Sequence, residues 1–285
     1  MTCTRRDLLL GSLAGFATAC THARNATPDA LTAIEASVGG RVGVYALDTG
    51  TGRELTHRAD ERFAMCSTFK WFLSAAVFAR VDRGELAIDE RVAYSAADLL
   101  EHAPSTRARV GEGAMSIADL ARAAVTVSDN TAANLLLAKA GGPAGVTTFV
   151  RAQGDTVTRL DRTEPALNTN EADDPRDTTS PRAMVGLMRA VLCGGALAPS
   201  SRERLLGLLR DCETGKDRLR AGLPAGWSVG DKTGTGARSA VNDVAIVYPP
   251  GRAPILVAAY LSDGPDDLPA LVAAHAEIGR QVVRI

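Results

Sequence analysis

The turn chemistry "DTGTG" at positions 48–52 folds residues 41–57 back on themselves as a hairpin. A two-stranded hairpin is marginal in water by itself. The only other strand signals, "WSVGDKTGTG", "AVNDVAIVYPP" and "APILVAAYLS", all lie past Pro224. The two ends of the chain must therefore meet, in a five-stranded, mostly antiparallel sheet. "DALTAIEASVG" puts Leu31, Ile34 and Val38 on one helical face, and the tail from about Asp267 is an amphipathic helix, so the sheet is flanked by N- and C-terminal helices. From residue 67 to about 216 the pattern is helical, with breaks at "SDN", at "GGP" and across residues 162–177. This predicts an α/β two-domain fold, with a sheet domain of residues 26–58 plus 212–285 and an inserted all-α domain over 59–211. At 285 residues and 46% hydrophobic, the chain can bury one large core or two modest ones. A cleft between the two domains is the default place for a site.

The formal net charge of −1 comes from acids and bases spread along the chain, which excludes a polyanion-binding surface and with it a nucleic-acid partner. Arg5 and Arg6 precede "LLLGSLAGFATAC", too short and too Gly/Ala-rich for a membrane span. Residues 1–19 read as an export signal. "TRRDLLL" is similar to a bacterial twin-arginine signal, with Leu8 where Phe is common. Cleavage fits the A-x-A pattern Ala17-Thr18-Ala19, or else leaves Cys20 as a lipid-anchored first residue, although Ala17 stands where a lipobox usually has Leu. The expectation is an exported, periplasmic monomer without a transmembrane span in its mature form.

Of the five cysteines, three, Cys66, Cys193 and Cys212, are left in the mature body if the signal is removed at Cys20, an odd count that argues against a disulfide framework. Cys193 and Cys212 can pair only if their α-carbons come within about 7 Å. A small apolar core role is expected for both. The histidines His22, His57, His102 and His275 lie far apart, and no C-x-x-C occurs, so neither a metal nor another cofactor is expected.

"MCSTFKWF" at 65–72 sets Ser67 three residues ahead of Lys70 at the start of an apolar helix. Positions i and i+3 share a helical face, so the ammonium can fold back toward the hydroxyl. Free N–H groups and the positive dipole end of a helix start also suit a developing oxyanion. The alternative is that Ser67 or Thr68 merely caps the helix and Lys70 is solvated. Among 32 Lys plus Arg only four are lysines, Lys70, Lys139, Lys216 and Lys232. Arginine does not shed its proton in a protein, so only lysine can serve as a base here. "TVSDNTAANLLL" places Ser128, Asp129 and Asn130 between two apolar helices, the first opened by a capping-box pattern from Ser116 to Asp119. "GDKTGTG" at 230–236 ends a strand signal. Taken singly, these are a helix connector and an edge strand. Together with S-x-x-K, in this order, they are a coincidence of about one in a thousand or rarer.

S-x-x-K, S-D-N and K-T-G resemble the motif set of class A serine β-lactamases and penicillin-binding proteins, and the resemblance spans nearly the whole mature chain. It implies that Ser67 is acylated, that Lys70 is its base or proton relay, and that Ser128 hands a proton to the β-lactam nitrogen. Asn130 would hold the acylamide side chain. Lys232, Thr233, Gly234 and Thr235 would grip the substrate carboxylate, and the N–H groups of Ser67 and Thr235 would form an oxyanion hole.

Enzymes that trim peptidoglycan share those motifs but stay blocked by penicillin. A positioned general base, contributing typically ~10² to 10⁴ in rate, separates the two. "RLDRTEPALNTNEADDPRDTTSP" supplies the candidate. Arg162 and Asp177 bracket a polar, aperiodic stretch that fits an Ω-loop, residues 162–177, pinned by an ion pair at its neck. Inside it, Glu164 and Asn168 resemble the family's E-x-x-x-N pair that holds the hydrolytic water, and Pro165 permits the family's cis Glu-Pro bond. Arg218 resembles the carboxylate-binding arginine of some members, Val241 filling the alternative strand position. His102 resembles the aromatic position at the cleft mouth, or is an exposed loop histidine. Cys66 resembles the half-cystine that other members bond to the end of the K-T-G strand; Gly236 stands at the partner position here. The expected substrates are β-lactams, with a D-alanyl-D-alanine carboxypeptidase of related fold as the alternative. A third possibility is a non-catalytic exported binding protein. A Ser-His-Asp esterase is disfavoured, since no G-x-S-x-G elbow is present.

Overall fold

The computed structural model describes residues 28–285. The signal over 1–19 and the anchor at Cys20 lie outside the described residues. Helix α1 (Pro28–Val38) leads into β1 (Arg41–Asp48) and β2 (Glu54–His57), joined by a turn in which Asp48 Oδ1 accepts from the N–H groups of Gly50 and Thr51. After β3 (Phe63–Ala64) come α2 (Phe69–Asp82), β4 (Arg91–Ala93), α3 (Pro104–Ala108), β5 (Ala114–Ser116) and α4 (Ile117–Thr126). Then follow α5 (Asn130–Ala140), α6 (Gly142–Ala152), β6 (Thr178–Thr179), α7 (Pro181–Met188) and α8 (Pro199–Arg210). The chain ends with β7 (Ser228–Thr235), β8 (Val241–Tyr248), β9 (Ile255–Ser262) and α9 (Leu268–Val282).

The main sheet has the order β2-β1-β9-β8-β7, and every pairing in it is antiparallel. The ends do meet: β1 pairs β9 from Arg41↔Ser262 to Asp48↔Ile255. Strand β9 carries no charged side chain and is buried along its whole length, because both its faces are covered. Leu256, Ala258 and Tyr260 join a core with the helical layer, while Ile255, Val257, Ala259 and Leu261 join a second core under α1 and α9. Leu31, Ile34 and Val38 lie in that second core with Leu271, Ile278 and Val282. This is the period of two expected of a strand, with each set of side chains facing a different layer.

Helix α2 is buried on all sides from Phe69 to Ala79 and forms the centre of the helical layer. Two miniature ladders, β3 with β6 and β4 with β5, cross a region whose sequence reads as helical. Their two or three residues are too few for alternation to register. Ser116 caps α4 by accepting from Asp119 N, and Asp129 caps α5 by accepting from Ala132 N.

Candidate active site

Ser67 does not begin the long helix. It sits in a 3₁₀ turn, Cys66–Thr68, and the α-helix starts at Phe69. Neither Ser67 nor Thr68 caps it: Thr68 Oγ1 donates back to Met65 O, and Ser67 Oγ donates to Glu164 Oε1 at 3.2 Å. The direct approach of Lys70 to Ser67 expected from the i, i+3 spacing is replaced by a bridge. Glu164 Oε1 lies 3.0 Å from Lys70 Nζ, so one carboxylate oxygen joins hydroxyl and ammonium. Lys70 Nζ also donates to Asn130 Oδ1 at 2.5 Å, to Ser128 O at 2.8 Å and to Ser128 Oγ at 3.3 Å. Its complete burial pulls its pKa below the ordinary lysine value, against the opposing pull of Glu164.

Ser128 is held in the left-handed region at φ 60°, which turns its hydroxyl between two lysines. Lys232 Nζ reaches the same Oγ at 3.1 Å from the sheet side. Asp129 fixes this loop: its buried carboxylate accepts from the N–H groups of Ser105, Thr106 and Ala132 and from the Thr106 hydroxyl. Lys232, fully buried, titrates at about 8, chiefly through desolvation, with the nearby charge of Lys70 adding to the effect.

The loop that carries Glu164 is pinned at its neck. Asp177, wholly buried, accepts from Arg162 Nε at 2.5 Å, Asp161 N at 2.7 Å and Arg162 N at 3.0 Å. Glu164 is held at both ends of its residue. Asn134 on α5 bonds its backbone N–H and C=O at 3.0 and 2.9 Å, and Asn168 Nδ2 donates to its Oε2 at 2.6 Å. The Glu164–Pro165 bond is cis. Asn134 carried no sequence signal, lying thirty residues from Glu164 outside any motif.

Strand β7 closes the other wall. A Cβ on Gly234 would stand 2.7 Å from Met65 O and 3.2 Å from Ser67 N, so only glycine lets the strand press against the Ser67 turn. Arg218, from a loop before β7, is buried and donates to Gly234 O, Asn242 O and Thr235 Oγ1 at 2.6–2.8 Å. Thr214, which the sequence reading missed, shares a 2.6 Å hydrogen bond with Thr233 Oγ1.

A cleft of about 290 Å³ gathers Ser67, His102, Ser128, Asn130, Asn168, Thr214, Arg218, Thr233, Gly234 and Thr235. Lys70, Glu164 and Lys232 lie buried in its wall. Arg162 and Asp177 stand back from it at the loop neck. His102 is exposed, with Nε2 3.0 Å from Val127 O. Among the described residues Cys66, Cys193 and Cys212 are all free thiols. The core role expected of Cys193 is wrong, because a short wide turn after α7 leaves it exposed, whereas Cys212 is buried. Burial, reinforced by the charge of Glu164, pushes the Cys66 thiol up to about 12.

An S-x-x-K turn and an S-D-N loop on the helical side, facing a K-T-G strand at the edge of an antiparallel sheet, define the β-lactamase/transpeptidase-like class of proteins. Within that class the chain belongs to the β-lactamase enzyme family, whose model matches residues 27–285, and to its class A. It is 47% identical over 254 residues to Beta-lactamase L2 of Stenotrophomonas maltophilia, covering 89% of this chain and 84% of that one. It is 46% identical over 266 residues to the carbapenem-hydrolyzing β-lactamase KPC of Klebsiella oxytoca, covering 91% and 89%. The solved structure of a class A β-lactamase described as the last common ancestor of Gram-negative bacteria superposes with a TM-score of 0.88 at 54% identity, covering 90% of this chain and 97% of that one.

Proposed function

We propose that this protein hydrolyses the β-lactam ring of penicillin- and cephalosporin-type antibiotics through a serine acyl-enzyme, and that it does so as an exported, periplasmic monomer. Ser67 Oγ attacks the lactam carbonyl and loses its proton to Glu164 or, through it, to Lys70; Lys70 passes a proton on to Ser128, so that Ser128 is reprotonated and Glu164 is left ionised for the second step. The C–O bond forms as the C–N bond breaks, and Ser128, between Lys70 and Lys232, delivers a proton to the departing nitrogen. The N–H groups of Ser67 and Thr235 stabilise the oxyanion. Arg218, Lys232, Thr233 and Thr235 bind the carboxylate, and Asn130 the acylamide. A water held by Glu164 and Asn168 then gives its proton to Glu164 as its oxygen attacks the ester; the bond from the acyl carbon to Ser67 Oγ breaks, and Glu164 returns the proton to that Oγ, releasing the opened acid and restoring both Ser67 and the carboxylate.

The observation that carries this reading is the placement of the Glu164 carboxylate, buried and within hydrogen-bonding distance of both Ser67 Oγ and Lys70 Nζ. A carboxypeptidase that stays acylated has no need of such a base, so this placement favours the lactamase over that alternative. Glu164→Gln should trap a covalent penicilloyl-enzyme that mass spectrometry detects. Fast turnover by that variant would remove Glu164 from the role of base for deacylation.

A further inference from the structure

The stretch of the Ω-loop past Asn168 has little beneath it. A cavity of about 430 Å³ lies behind residues 170–175, walled on its far side by Arg41, Arg62 and Ala64. Glu171, Ala172 and Asp173 are exposed. A segment that spans a cavity is positioned by its attachments rather than by packing. One attachment is the neck at Asp177.

Arg162 adds to the neck from within the loop, donating to Thr169 Oγ1 at 3.1 Å and standing 3.8 Å from the Asp174 carboxylate. Next to Asn168 the segment is also tied to the turn between β7 and β8. Ala237 N donates to Asn168 O at 2.9 Å, and the side chain of Asn170 reaches across to Ala237 O and Arg238 O at 3.2 and 3.3 Å. That turn is itself firmly anchored. Asp263 N donates to Arg238 O at 2.9 Å, the Arg238 guanidinium bonds Asp263 Oδ1 at 2.8 Å, and Ser239 Oγ donates to Gly264 O at 2.8 Å. Asn170 adopts φ 48°, a left-handed conformation that asparagine tolerates better than most residues. It therefore joins a poorly supported loop to a fixed turn two residues from Asn168, whose own side chain holds Glu164 Oε2 at 2.6 Å.

We propose that Asn170 is a positioning residue for deacylation, a latch that keeps Asn168 and Glu164 in register with the ester on Ser67. This rests on the reading of Glu164 as the base that drives water onto the acyl-enzyme. Loss of the latch slows the second chemical step and leaves the first alone. In a two-step mechanism a slower deacylation lowers kcat and KM together and leaves kcat/KM unchanged.

The test compares the parent enzyme, Asn170→Gly, Asn170→Asp and Glu164→Gln with one penicillin, by steady-state kinetics and by mass spectrometry of quenched reactions. Glycine keeps the left-handed backbone while removing the side chain. Aspartate keeps the size while replacing the donor with a charge that two carbonyls repel. Both Asn170 variants should lose about five- to tenfold in kcat, the equivalent of about 1 kcal/mol, with a parallel fall in KM and a larger acylated fraction. If kcat is unchanged, or falls at constant KM, the latch is refuted, the second result marking a merely structural loss. If Glu164→Gln accumulates adduct while both Asn170 variants turn over normally, only the latch fails. If Glu164→Gln does not accumulate adduct, the reading of the base fails as well.

Discussion

Raising the pH from 7 to 9.5 should loosen the hold on the substrate carboxylate through a single group. Lys232 titrates at about 8 because its ammonium is completely buried, with the charge of Lys70 near the shared Ser128 hydroxyl pushing the same way. About 90% of Lys232 carries its proton at pH 7 and about 3% at pH 9.5. With the protonated form as the carboxylate ligand, KM for a penicillin should rise by up to about 30-fold over this range. Arg218 keeps its charge and sets a ceiling on the rise. The contribution of Lys232 to stability runs the other way. Its folded pKa lies below its unfolded value, so the unfolded chain binds the proton more tightly, and this contribution grows as pH climbs from about 8 toward about 10.5. Affinity lost to deprotonation is thus distinguishable from affinity lost to unfolding. The assay is KM and kcat from pH 6 to 10 at constant ionic strength, with circular dichroism at each pH. A KM that stays flat to pH 9.5 in a folded enzyme would refute the assignment of Lys232 as a titrating carboxylate ligand.

Two further outcomes follow from the same geometry. Arg218→Ala should raise KM for carboxylate-bearing penicillins by about tenfold and lower kcat less, since its guanidinium lies at the carboxylate wall rather than at Ser67; a fall in kcat that exceeds the rise in KM would contradict this. Asp177→Asn replaces the charged partner of Arg162 Nε at the loop neck while an amide oxygen still accepts from the two backbone N–H groups. The lost charge-assisted bond is worth about 1.5–3 kcal/mol. This should lower Tm by roughly 3 to 10 °C, measured by calorimetry, and slow turnover at deacylation; an unchanged Tm with unchanged kcat would show that the neck does not hold the loop.

The sequence was most informative where chemistry is local. S-x-x-K, S-D-N and K-T-G each occupy a few adjacent residues and need only a helix start, a connector and a strand end. The meeting of the chain ends was legible because a lone hairpin is unstable and no other strand signal was nearer. Less legible was anything decided by tertiary contact. Asn134 is an ordinary polar residue of α5 until the fold sets it against the Glu164 backbone. Thr214 matters only because Thr233 comes to it. Residue type alone points Cys193 to the core, but the wide turn that follows α7 swings it outward. The spacing of Ser67 and Lys70 put both on one helical face, yet the 3₁₀ turn and the incoming carboxylate of Glu164 decide how they communicate.

Strand β9, which follows every motif of the cleft in the chain, occupies the middle position of the sheet between β1 and β8. A nascent chain that has emerged as far as β8 has made every motif of the cleft but has no strand to join the β1–β2 hairpin to the β7–β8 pair. A truncation that takes away β9 therefore removes the keystone rather than a peripheral stave, and synthesis must have passed Ser262 before Ser67 and the K-T-G strand are locked together.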